Sequence, residues 1–171
     1  KHLGVHSELL TDGVVELILP PVAPPREVTA RLDGRERQAR LVEVGVPHLV
    51  VPVDDVDAVD LALEGPRLRA LPFPGPEGSN VHVVARRGGE LRLRSFERGV
   101  EAETWCCGSG VVAAALLDLA ASGASRVTVR PRSGDLMTVA ADGPFGVPVR
   151  AAGPVRLVAR VEPDPRWLAD G

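Results

Sequence analysis

Apolar residues along this chain fall mainly into short runs bounded by Gly and Pro, the pattern of β-strands. Val14 to Leu19 is a β-rich run that stops at Pro20-Pro21. The Pro-rich segment Pro20 to Pro25 cannot join a central ladder and predicts a boundary or linker. Val28 to Leu32 and Gln38 to Val44 flank Asp33-Gly34, which predicts a hairpin. Leu49 to Val53 is a further apolar strand, and Val81 to Ala85 with Leu91 to Phe96 predicts a second hairpin across Arg86 to Glu90. Val127 to Val129, Leu136 to Ala140 and Val155 to Val161 continue the strands.

Two segments break this pattern. After Asp54-Asp55, the apolar residues of Val56 to Leu63 fall at helical spacing, with Gly65-Pro66 as the stop. Gly108-Ser109-Gly110 leads into VVAAALLDLAAS, closed by Gly123. That second helix is apolar on nearly every side, so it must be buried. The expected fold class is α+β: a mainly antiparallel β-sheet wrapped around a central buried helix.

Composition narrows the function. The 171 residues are 44% hydrophobic and 25% charged, as in ordinary globular proteins, with a net charge of -3. No basic field exists for nucleic acid, and the arginines are scattered. Of 20 basic residues the one lysine is Lys1, so no internal lysine is available for a pyridoxal-phosphate Schiff base. The expected cofactor is none. The two cysteines, Cys106 and Cys107, are adjacent, which makes neither a disulfide framework nor a CxxC zinc pair. A reducing, cytoplasmic setting fits that usage. The longest apolar stretch, Val111 to Ala121, is interrupted by Asp118 and falls short of the ~20 residues of a membrane helix, so no membrane partner is expected. The chain starts without methionine and has no signal-peptide pattern, which suggests a fragment or a processed product.

The informative stretch is FERGVEAETWCCGSGVVAAA, Phe96 to Ala115. It puts Cys107 at the mouth of a buried helix, just before glycines. Free N–H groups at a helix start bind carboxylate and stabilise thiolate. A cysteine there can titrate well below ~8.5 and serve as a base. Gly108, Ser109 and Gly110 are small enough for a ligand to approach the backbone. On the residues alone the commoner reading of such a cysteine is a small, inert, buried side chain before a Gly-rich turn.

The same stretch is similar to the ERG…ET…CG[ST]G signature of diaminopimelate epimerases. Upstream, VEVGVPHLVVPVDD resembles that family's strand bearing a GNPH motif, and GSNVHVV resembles its asparagine-bearing strand. Downstream, SGDLMTV resembles a late strand. The match runs from about Thr11 to about Arg160. It implies cofactor-independent epimerisation by two cysteines on opposite faces of a substrate α-carbon, one removing a proton while the other delivers one. By matched position, Cys107 is one acid/base thiol, and Gly108 and Ser109 supply carboxylate-binding amides. His48 and Glu97 are polar companions of the reacting centre. Asn80 and Arg98 bind the far end of the substrate. The implied substrate is diaminopimelate or a similar small amino acid.

Each assignment has a structural counterpart. Glu97 and Arg98 could form a strand-end ion pair, His48 could be a buried hydrogen-bonded histidine, and Asn80 could cap the turn Gly78-Ser79. His82 belongs to the face of Asn80, and the family pattern gives it no role. His2 and His6 read as exposed, and no metal site is expected.

Two departures stand out. Val46 occupies the place of the GNPH asparagine, which loosens the substrate assignment. By the resemblance, the N-terminal domain with the other cysteine is expected outside this sequence, and Cys106 cannot replace that cysteine, since neighbouring residues project in different directions. By this reading residues 1–20 are terminal strands of that missing domain, 21–154 the C-terminal epimerase domain, and 155–171 a return strand and tail. A complementary N-terminal domain is the expected partner, with a homodimer left open. Two rival functions stand beside the epimerase: an inert half that binds amino-acid carboxylates, and a thiol hydrolase using Cys107, His48 and Glu97.

Overall fold

Two tight turns set the register of the central strands. Asp33 (φ 49°) and Gly34 (φ 72°) join β3 (Arg26–Leu32) to β4 (Arg35–Val44). Gly88 (φ 61°) and Gly89 (φ 84°) join β6 (Asn80–Arg87) to β7 (Glu90–Glu97). Two successive positive φ values make the turn whose twist suits a hairpin. Both predicted hairpins therefore form. The computed structural model describes residues 6–11, 13–72 and 75–162, so His2 lies outside the described residues.

The remaining strands are β1 (His6–Thr11), β2 (Val14–Leu19), β5 (Val46–Pro52), β8 (Ala102–Thr104), β9 (Arg126–Arg130), β10 (Met137–Ala140) and β11 (Val149–Pro154). They form one sheet in the order β1-β2-β11-β10-β9-β7-β6-β5-β4-β3, with β8 pairing β7 off this path. Most neighbours are antiparallel, but β5·β6 and β7·β9 are parallel, so the sheet is mixed. Both parallel joints follow crossovers that contain a helix: α1 (Leu61–Arg69) precedes β6 and α2 (Gly108–Ser122) precedes β9.

Alternation along the strands divides the core in two. Val42, Val44, Val50, Val84, Leu91 and Leu93 pack with the apolar residues of α2. Leu41, Leu49, Val51, Val81, Val83 and Phe96 pack with Leu61 and Leu68 of α1. Residues of one strand alternate between the two clusters, as the two-residue period requires. The α2 residues from Gly110 to Leu116, and Leu119, are buried. Its Asp118 forms an ion pair with Arg86, which explains how a carboxylate sits in so apolar a helix.

Three expectations change. The helix foreseen over Val56 to Leu63 is a 3-10 turn at Val56–Ala58 followed by α1, and Pro66 lies inside α1 rather than ending it. Asp60 caps α1 by accepting from Leu63 N–H at 3.1 Å, so the helix starts later than periodicity suggested. Gly65 is a packing residue: a Cβ there would sit 2.5 Å from the Phe96 ring. Second, the strand foreseen over Val155 to Val161 has no regular structure. The preceding strand, β11, already pairs with β2 and β10 and ends at Pro154, which has no N–H to donate. Leu157, Val158 and Val161 are exposed in consequence. Third, the Pro20 to Pro25 segment is irregular but docked, with Val22 buried and its carbonyl accepting from Gly146 N–H at 2.9 Å.

Candidate active site

Strand parity brings the polar residues together on the α2 side of the sheet. His48 pairs with Asn80 in the β5·β6 register, and His82 pairs with Ser95 in the β6·β7 register. His48, Asn80, His82 and Ser95 share the parity of Val50, Val84 and Leu93, which face α2. Glu97 follows Ser95 by two residues. All four of His48, Asn80, His82 and Ser95 are buried.

Cys107 is the residue before α2 and is 4% exposed. Its Sγ lies 3.8 Å from Ser109 Oγ, and the Gly110 N–H supports negative charge on the sulfur. Burial outweighs that support, and the neighbouring Glu97 carboxylate adds to it, so the thiol is pushed up to about 11. The expectation of a thiol titrating below ~8.5 is therefore reversed in the chain as it stands. Here the loss of solvation of the thiolate exceeds what the helix-start donors return. Cys107 has an apolar helix behind it and a carboxylate in front. Cys106 diverges from it, with Sγ 3.6 Å from Met137 Sδ, and both cysteines are free thiols.

Glu97 is held by the signature's own threonine: Thr104 Oγ1 donates to Glu97 Oε1 at 2.5 Å. The adjacent glutamate has a scaffold role, since Glu103 takes a bidentate pair from Arg94 at 2.7 and 2.8 Å. Asn80 does not cap the Gly78-Ser79 turn. Its Oδ1 accepts from the Arg98 backbone N–H at 2.8 Å and so fixes the end of β7. The Arg98 guanidinium pairs with the exposed Glu77 at 2.9 Å. Arg98 is thus tethered beside the site through both its backbone and its side chain.

His48 and His82 are in direct contact. His48 Nδ1 lies 2.9 Å from His82 Nε2, and His82 Nδ1 lies 2.9 Å from Ser95 Oγ. Burial drives the His48 imidazole down to about 4, partly opposed by the Val44 carbonyl and by Glu97. Among the described residues His48 Nε2 has no hydrogen-bond partner of normal geometry, the Val44 carbonyl included. His82 is held well below the ordinary histidine range by burial and then by His48. Both rings are neutral near pH 7. The sequence pattern gives His82 and Ser95 no site role. The signal that finds them is the two-residue step from Asn80, combined with the strand register.

His48, His82 and Cys107 each bring a metal-ligating atom within 4.8 Å of the others. The facing imidazole nitrogens are already at hydrogen-bond distance, whereas two nitrogens on one tetrahedral zinc lie roughly 3.3 Å apart at Zn–N lengths of about 2.0–2.1 Å. As arranged, the two histidines are hydrogen-bonded to each other, with the Cys107 sulfur close by. A separate hollow of about 330 Å³ is bordered by Asp57, Arg92, Arg94 and Arg132. Its arginines are all ion-paired, Arg92 with Asp57 and the other two with Glu103.

The site is thus a buried thiol at a helix start, faced by a glutamate and a histidine from neighbouring strands. The family model for diaminopimelate epimerase matches residues 40–155, more than half of the chain. The chain belongs to the diaminopimelate epimerase family. It is 41% identical over 128 residues to the diaminopimelate epimerase of Gemmatimonas aurantiaca, covering 72% of this chain and 46% of that protein. It is 36% identical over 139 residues to that of Aquifex aeolicus, covering 79% and 50%. Over 84 residues it is 53% identical to that of Methanocella arvoryzae, covering 49% and 29%. The chain therefore spans about half the length of the diaminopimelate epimerases it matches. The fold is similar to that of a phenazine biosynthesis PhzC/PhzF protein from Clostridium difficile, with TM-score 0.60, 12% identity, and coverage of 90% and 59%. No helix among the described residues is long and apolar enough to cross a membrane.

Proposed function

We propose that this chain is the C-terminal half of a cofactor-independent amino-acid epimerase acting on diaminopimelate or a close relative, with Cys107 as one of two proton-transfer thiols. The observation that carries the reading is the Cys107–Glu97 contact at the start of α2. Burial, with the Glu97 carboxylate adding to it, holds the sulfur protonated, so Cys107 stands ready as a proton donor to a substrate carbanion. The helix-start amides of Gly108 and Ser109 suit the substrate carboxylate, where charge spreads as the Cα proton leaves. The Gly110 N–H stabilises the sulfur as it becomes thiolate.

The second thiol is expected from a complementary N-terminal half, corresponding to the part of the relatives that this chain does not span. In this reading residues 1–20 and 155–171 belong with that half, and the exposed Leu157, Val158 and Val161 support it. The sheet wraps around α2 so that the start of the helix forms the floor of the site. Contacts of α2 with β4, β5, β6, β7, β9 and β10 support that arrangement. Asn80 and Arg98 border the far end of the substrate. Val46 leaves that end without an asparagine amide, so recognition there falls more heavily on Arg98. A cytoplasmic setting and assembly as a homodimer belong to the same reading.

A thiol hydrolase fits less well. In a nucleophile triad the carboxylate orients the histidine. Here His48 Nδ1 is engaged by His82, while Glu97 faces the thiol.

The test is Cα-hydrogen exchange of LL- and meso-diaminopimelate in deuterated water. The chain is assayed alone and with the N-terminal half of a relative, with Cys107→Ala as control. Exchange that disappears in the variant supports the reading. Absence of exchange in a folded, complemented sample rejects it.

A further inference from the structure

The hydrogen-bonded line from Ser95 through His82 to His48 has a direction that its neighbours decide. Both rings are neutral, so each carries one N–H. In the first polarity the Ser95 hydroxyl donates to His82 Nδ1, His82 Nε2–H donates to His48 Nδ1, and His48 carries its proton on Nε2. In the second, His48 Nδ1–H donates to His82 Nε2, and His82 Nδ1–H donates to the Ser95 oxygen. Among the described residues the buried Ser95 hydroxyl has no hydrogen-bond partner other than His82. The second polarity therefore strands the Ser95 hydroxyl proton and also leaves His48 Nε2 a bare acceptor. The first leaves one group open, the His48 Nε2–H. An unmade bond of a buried hydroxyl biases such an equilibrium about tenfold or more.

We propose that Ser95 and His82 are positioning residues that fix His48, whose ring lies close to Cys107, in the tautomer protonated on Nε2, so that a neutral imidazole keeps that N–H as its free donor. The burial that keeps both rings uncharged supports this. The packing holds the His82 ring in its place in the line: a Cβ at Gly110 would lie 2.1 Å from His82 Cε1, so the helix that follows Cys107 is fitted against this ring. A neutral imidazole donates without surrendering its proton, so His48 would polarise or hold an anionic group and would not act as a general base. The consequence for catalysis rests on the epimerase reading. The tautomer itself does not.

The experiment is long-range proton–nitrogen NMR of the full chain with nitrogen-15 in its histidine rings, which reports the protonated nitrogen of each ring. His48 and His82 are expected as Nε2–H tautomers, and either ring found protonated on Nδ1 overturns the proposal. In Ser95→Ala the bias on His48 should fall about tenfold, toward parity, while Ser95→Thr restores it. A His48 tautomer unchanged in Ser95→Ala removes Ser95 from the role. The wild-type spectrum decides the polarity even if Ser95→Ala does not fold. The readout needs no turnover, so its failure and that of the epimerase reading are distinguishable.

Discussion

The ring of His82 fills the space in which a side chain at Gly110 would begin, with a Cβ there only 2.1 Å from His82 Cε1. A glycine of the CGSG stretch is thus explained by packing as well as by ligand access. Gly110→Ala should destabilise the chain by about 1–3 kcal/mol through overpacking, read as a lower urea midpoint with unchanged slope. Adding His82→Ala to Gly110→Ala should cost less than the sum of the single changes. Strict additivity in that cycle would mean the two residues do not meet.

Acid should weaken the fold through the histidine pair. His48 sits at about 4 when folded against 6.5 unfolded, so the unfolded chain binds the extra proton. Its contribution is fully present above pH 6.5 and is lost as pH falls toward 4, amounting to about 3 kcal/mol. The check is urea stability against pH for the chain and for His48→Asn. The two curves should converge on acidification between those values. Parallel curves would show that His48 does not titrate differently on unfolding.

Cys107 should behave as a reluctant thiol with the opposite pH sense. With its folded value raised to about 11 from 9.0, the stability it contributes is intact below pH 9 and lost as pH rises toward 11. In a Cys106→Ser background, iodoacetamide should label folded Cys107 slowly near neutrality, with a rate that climbs toward pH 11. A labelling profile centred below pH 8 would contradict the burial argument.

Arg94 ties three elements together. It forms the bidentate pair with Glu103 of β8 and donates from Nη1 to the carbonyls of Val56 and Val59 at 2.7 and 2.9 Å. Arg94→Ala leaves Glu103 with Arg132 as its cation and strands two carbonyls, and a loss of about 2–3 kcal/mol is expected in thermal or urea unfolding. Arg94→Lys should recover little, because one ammonium cannot serve four acceptors at those positions. Near-complete recovery by lysine would show that charge alone matters there.

Much of this architecture follows from the sequence because its causes are local. Asp33-Gly34 and Gly88-Gly89 demand hairpins, and an apolar VVAAALL run demands a buried helix, whatever surrounds them. The FERG…CGSG signature likewise marks Cys107 and Glu97 without any coordinates. What the chain could not reveal by itself depends on partners distant in sequence. The sheet order, with parallel joints at β5·β6 and β7·β9, sets His48 beside Asn80 and His82 beside Ser95. Only that register builds the Ser95–His82–His48 line. The upward push on the Cys107 thiol also needed the fold, because a helix start and a burying neighbourhood act on a thiolate with opposite sign. Local chemistry names the residues that can react. Long-range packing decides which protons they hold.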